Sequence, residues 1–151
     1  MDIRCGLTGE PLDPHGAWDW LSAAGGRAGA VVLFSGQVRD EQGGVESLFL
    51  EQYPEMSEPA LQGIVSEVGA CWSPARIFAQ HRTGWMDVGD TIVMVGVAAG
   101  HRAEAFEACE CLMDRVKTEV PLWKKVRGPD GEQWVEARQR DLEAAARWKR
   151  K

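Results

Sequence analysis

The chain has 151 residues, 44% hydrophobic and 26% charged, a length that fits one domain able to fold on its own core without staples. A net charge of −6 argues against nucleic-acid binding through a generally basic surface. No stretch has the apolar length of a secretion signal or a membrane span, so a single cytoplasmic domain over residues 1–151 is expected, with no membrane partner.

Taken in chain order, Ala17–Ala24 predicts a short helix closed by Gly25-Gly26. Gly29–Val38 (GAVVLFSGQV) is a near-continuous apolar run bounded by glycines and predicts a buried strand. After the polar turn Arg39–Gly44, Val45–Tyr53 predicts its partner strand. Met56–Trp72 has a helical pattern, with Ser57 as N-cap, Pro59 in the first turn and one apolar stripe of Leu61, Ile64, Val65, Val68 and Trp72.

Strands over Arg76–His81 and Thr91–Ala99 flank the turn Asp87–Asp90. His101–Val120 predicts a second long helix, with Phe106, Cys109, Leu112, Met113, Val116 and Val120 inward and Pro121 as its stop. Leu122–Arg127, the turn Gly128-Pro129-Asp130-Gly131 and Glu132–Ala137 make a hairpin signal, and a helix from about Gln139 to Trp148 ends the chain. Paired strands between helices favour a mixed α+β fold over a doubly wound parallel sheet.

Charge is unevenly placed. Seven acids and no Lys or Arg lie between Asp40 and Ala75, whereas Arg115, Lys117, Lys124, Lys125 and Arg127 face only Glu119 in their stretch. A local basic cluster in an acidic protein suits a small anion; a solvated charged face is the bland alternative. At Ala98–Arg102 (AAGHR) a strand gives way to a helix whose unpaired N–H groups suit a phosphate. His101 and Arg102 oppose the helix dipole there unless an anion is bound. Lys117 shares a helix side with Arg102, Phe106 and Met113, and partial desolvation there would make its amine usable in chemistry. Lys124 and Lys125 project to opposite faces of their strand, Lys124 with Val126 and Lys125 with Trp123 and Arg127. Arg39 closes the first buried strand and has the fork geometry for phosphate.

Cys5, Cys71, Cys109 and Cys111 form no CxxC pair and no zinc pattern, so free thiols are expected, with Cys109 a buried structural one. No metal or other cofactor is expected.

In order along the chain, GAVVLFSGQVRD, LEQYPEMSEPAL, HR at the start of the second long helix, MDRVK at its end, PLWKK after it and WVEAR in the last strand resemble the catalytic, large subunits of molybdopterin synthase, from about Ala30 to Trp148. The resemblance implies an α/β hammerhead-type core of mixed and antiparallel strands with two long helices and an additional antiparallel hairpin. It also implies a homodimer flanked by two copies of a small ubiquitin-like sulfur carrier, in a heterotetramer. The carrier's C-terminal Gly-Gly thiocarboxylate would deliver sulfur to cyclic pyranopterin monophosphate, giving molybdopterin. Matched position by position, the family's anion-binding residues fall on Arg39, His101 and Arg102, and its essential lysines on Lys117 and Lys124. Lys125 and Met113 line the pocket, and Arg138 comes from the dimer mate. Gln37 and Val126 depart from the family's usual lysine and acid.

Two other classes compete. A noncatalytic adaptor docking a small protein's C-terminal tail would need the cations but would accept Arg at position 117. A redox thiol protein would need Cys109 and Cys111.

Overall fold

The computed structural model describes residues 1–40, 43–135, 146 and 148. Its elements are β1 (Asp2–Thr8), α1 (Pro14–Ser22), a 3-10 turn (Gly25–Arg27), β2 (Ala30–Gln37), β3 (Ser47–Gln52), α2 (Ser57–Trp72), β4 (Arg76–Arg82), β5 (Gly84–Asp87), β6 (Thr91–Ala99), α3 (Arg102–Glu119), β7 (Leu122–Gly128) and β8 (Gly131–Val135). The class is α+β, as expected. The strands form two four-stranded sheets, ordered β1-β4-β6-β2 and β5-β3-β7-β8.

In the first sheet β1 runs parallel to β4, and the other pairs are antiparallel. Central β6 is covered on both faces, which explains its unbroken apolar run. Val93, Val95, Val97 and Ala99 meet Leu61, Ile64, Val65 and Val68 of α2 and Ala105, Leu112 and Val116 of α3. Each such aliphatic side chain contributes about 1.5–3 kcal/mol by leaving water. Met94 and Ala98 point the other way, under Ala17 and Leu21 of α1. Gly96 permits that packing, because a Cβ there would collide with the Leu21 side chain. The second sheet has a smaller core, in which Leu48, Leu50 and Met86 meet Val38 at the end of the first sheet.

Several expectations are corrected. The strand after the Arg39 turn is not the partner of β2: β3 pairs with β5 and β7 in the second sheet, while β2 pairs with β6 and forms an edge. β1 and β5 were not foreseen. The first helix begins earlier than expected, capped by the Asp13 carboxylate, which accepts from the Gly16 N–H. Met56, not Ser57, is the N-cap of α2, and it makes no side-chain cap. Phe106 is 62% exposed, because Ala105, Ala108, Cys109, Leu112 and Val116 take the inward stripe. The β7–β8 hairpin closes at Gly128↔Gly131, with Gly131 at φ +102, a conformation glycine adopts without strain. The predicted C-terminal helix lies almost wholly outside the described residues, although the Trp148 indole donates to Asp114 (2.7 Å) and packs edge-on against Trp72.

Candidate active site

α3 reverses over β6. After the turn at Gly100 and His101 it runs back along the strand, and Cys109 Sγ donates to Val95 O at 3.6 Å. The start of α3 therefore lies at the Ala99 end of the sheet, and its end lies towards Thr91. Its 18 residues span about 27 Å at 1.5 Å each. That separation divides the candidate residues in two.

At the far end are Arg39, Lys117 and Lys124. Arg39 is exposed and follows β2, where Val38 N donates to Asp90 O and Gly89 N to Val38 O, so it flanks the turn that begins β6. Lys117 occupies the last turn of α3 and is exposed, one position beyond buried Val116 and four beyond half-buried Met113. That exposure departs from the partial desolvation expected from its helix side. Lys124 follows the Pro121 hinge on β7, half-buried and paired with Leu50 of β3.

The structure also settles which lysine of the pair is inward. Lys124 shares its face with Val126, which packs on the small core. Lys125 lies on the opposite face, its Nζ 4.5 Å from the Trp134 ring centre and 3.5 Å from Glu132 Oε2. Arg127, 4.0 Å over the Trp85 ring, also reaches Glu132. These partners hold the Glu132 carboxyl below its usual range, chiefly through the hydrogen bond from Arg127. Arg115 is held by Glu119 and Glu67. Arg115, Lys125 and Arg127 are thus held by carboxylates.

At the near end are His101 and Arg102. His101 is the N-cap of α3 in extended conformation and makes no side-chain cap; both residues are exposed. Gly29 touches this joint: a Cβ on it would stand 2.5 Å from Gly100 O. Arg138 lies outside the described residues.

The two thiols of α3 are poor nucleophiles. Burial pushes Cys109 up to about 12 and Cys111 up to about 11, so neither is a thiolate at neutral pH. Among the described residues no group of three or more His, Cys, Asp or Glu is placed to hold a metal, and no helix is long and apolar enough to cross a membrane. An open cleft of about 520 Å³ lies on the α1 side of the first sheet, near Arg4, Asp13, Phe78 and Gln80. It contains none of the candidate cations.

Sequence reasoning missed that the Ser57 hydroxyl bridges the Tyr53 N–H and the Pro121 carbonyl. Ser57 was visible as a polar residue at a helix start, but its partner is 64 residues away and no local signal identifies it.

Comparison with known proteins matches residues 7–119 to the family described as MoaE protein. A relative from Pasteurella multocida (strain Pm70), named molybdopterin synthase catalytic subunit, is 44% identical over 149 residues, covering 97% of this chain and 99% of that protein. The solved structure of molybdopterin cofactor biosynthesis protein E from Burkholderia multivorans ATCC 17616 is 39% identical, with a TM-score of 0.82 and coverage of 99% of this chain and 98% of that one. The crystal structure of molybdopterin synthase from Staphylococcus aureus is 30% identical with a TM-score of 0.75, covering 87% of this chain and 96% of that one.

Proposed function

This chain belongs to the MoaE family of molybdopterin synthase catalytic subunits, enzymes of molybdenum cofactor biosynthesis, and from that premise we propose how it acts: it moves sulfur from the C-terminal thiocarboxylate of a small ubiquitin-like carrier onto cyclic pyranopterin monophosphate. The relatives' name is that of one subunit, which supports a second, smaller one. The work is cytoplasmic and uses no metal.

One observation carries the reading. His101 and Arg102 lie at one end of α3 and Lys117 about 22 Å along it, at the end that also carries Arg39 and Lys124, so one chain cannot gather them. A second copy can. β2 is an edge strand of sequence AVVLFSGQ, with Phe34 42% exposed, and on α3, which packs against β2, Phe106 is 62% exposed. A long apolar edge of this kind is a template for pairing. Pairing it antiparallel with its own copy about Phe34, so that like faces meet across the two-fold, brings Arg39 level with Gly29 of the partner subunit. Gly29 abuts the joint that carries His101 and Arg102. A two-fold dimer then builds two identical sites, each from both chains.

In each site Arg39, with His101 and Arg102 of the partner subunit and the N-terminus of that helix, holds the phosphate. Binding energy at that remote group fixes the pterin side chain against the sulfur donor. Lys117 gives and takes protons at the reacting carbon, drying as the partner subunit and carrier tail close over it. Lys124, on the inward face of β7, neutralises the thiocarboxylate. Met113 lines the pocket one turn before Lys117, and Arg138 is assigned to the partner's side of it. Lys125 faces away from Lys124 and steadies the outer surface through Glu132 and Trp134. The test is reconstitution: purified chain, thiocarboxylated carrier and cyclic pterin should give the dithiolene, and absence of product would overturn the reading.

A further inference from the structure

We propose that Ser57 is a positioning residue for Lys117 and Lys124, its buried hydroxyl clamping the Pro121 carbonyl at the hinge between them. This rests on the roles proposed above for the two lysines.

Ser57 is completely buried. Its Oγ accepts from the Tyr53 N–H at 2.8 Å and donates to Pro121 O at 2.5 Å, which uses its proton and one lone pair. A serine in the first turn of a helix ordinarily turns its oxygen to that helix's own N–H groups. Here the N-cap position belongs to Met56, and Ser57 reaches across the fold instead. Pro121 ends α3 and has no N–H, so its carbonyl is the group by which the hinge residue can be anchored.

The remaining contacts make the clamp specific to the hinge. Gln52 pairs with Leu122 and Glu51 with Trp123 along the β3–β7 ladder. The Tyr53 ring stacks on Trp123 with centroids 5.0 Å apart. Tyr53, whose N–H is fixed by Ser57, thereby packs on the residue just before Lys124. Lys117 lies four residues before Pro121 and Lys124 three after it. One hydroxyl thus joins the end of β3, the start of α2 and the α3–β7 hinge, and the two amines keep their separation while the hinge keeps its angle. Removing it takes a partner from the part-buried Tyr53 N–H and Pro121 carbonyl. The consequence expected is a small displacement of both lysines, of the kind that lowers turnover without touching the substrate's binding groups.

The experiment compares wild type, Ser57→Ala and Ser57→Thr in the reconstituted synthase, well below the melting temperature of each. Hydrogen exchange of the 119–124 amides is measured on the same samples. Ser57→Ala should lose roughly 10–100-fold in kcat with carrier affinity unchanged, and its hinge amides should exchange faster. Ser57→Thr, which keeps the hydroxyl, should recover both. If Ser57→Ala does not fold, Ser57→Cys, with a weak S–H donor, should give intermediate values. The proposal is overturned if the folded Ala or Cys variant keeps wild-type kcat, if lost activity merely follows the unfolded fraction, or if the hinge exchanges at the wild-type rate. An inactive wild type would instead overturn the sulfur-transfer reading, and the exchange rates would still decide the clamp.

Discussion

At the C-terminal end of α3 Lys117 stands where the helix's partial negative charge favours a cation, whereas at the N-terminal end His101 and Arg102 stand against the partial positive charge and cap nothing. The first arrangement has an adequate structural explanation. The second has none among the described residues, where both side chains are exposed and Arg102 carries its charge into the first turn. A cation that opposes its own helix marks a place where something other than stability set the residue, and a bound anion supplies the missing favourable term. The weaker structural case is therefore the stronger functional one, and it lies on the side of the chain away from the lysines.

The largest expected effect tests the lysine end. Lys117→Ala should lower turnover by about 10²–10⁴-fold, the range for a lost acid–base group, while carrier affinity stays near wild type. Lys117→Arg should be nearly as poor, because guanidinium does not give up its proton. Normal product formation by the Arg variant would favour an adaptor over an enzyme. The helix-start end should behave oppositely in stability. Arg102→Ala should weaken substrate binding roughly 10–100-fold, as loss of a charged hydrogen bond does, yet leave the fold unchanged or up to about 1 kcal/mol more stable. A melting curve shifted downward by that replacement would remove the contrast between the two ends.

A smaller effect comes from a group in neither cluster. His81 is buried, 8% exposed, on β4, and its Nδ1 meets Arg82 O at 3.0 Å. Burial holds its pKa below the ordinary value of 6.5. Below 6.5 the unfolded chain takes up a proton that the folded chain refuses, so this contribution is complete above pH 6.5 and declines as pH falls towards the folded value. The melting temperature should fall between pH 7.5 and pH 5, and His81→Gln should flatten that slope. Asp2, held below the usual carboxylate range chiefly by its hydrogen bond from Arg27, contributes fully above about 3.8 and loses that contribution only as pH falls below it. The least effect is expected from Cys109→Ser: the thiol is not ionised at neutral pH, and only its packing beside Val95 is lost. Loss of turnover with the fold intact would revive the redox reading.

Much of the fold was legible because period and burial agree. The two long helices show their stripes, β6 its continuous apolar run, and the β7–β8 hairpin its glycine-closed turn. What was not legible is decided between elements. β1 is a half-exposed edge strand whose Arg4 and Asp2 dilute the pattern, and β5 has only four residues. That β2 and β3 enter different sheets follows from which ladder closes on β6, and adjacency in sequence says nothing of it. The candidate residues were readable by type, down to the opposed faces of Lys124 and Lys125. Their distribution was not, because a helix folding back on its strand sends its two ends apart.

The central claim, that each site draws on both chains, is tested most directly by mixing two impaired variants at a pterin concentration well below saturation. Lys117→Ala and Arg102→Ala chains would be unfolded together, refolded at equal amounts and assayed with carrier and pterin. Half of the dimers are then mixed, and each mixed dimer holds one site with Lys117 and the facing Arg102 both intact. The account predicts recovery to about one quarter of wild-type activity. Activity no higher than that of the separate variants, with mixed dimers shown to be present, would place both residues of a site on one chain and contradict it.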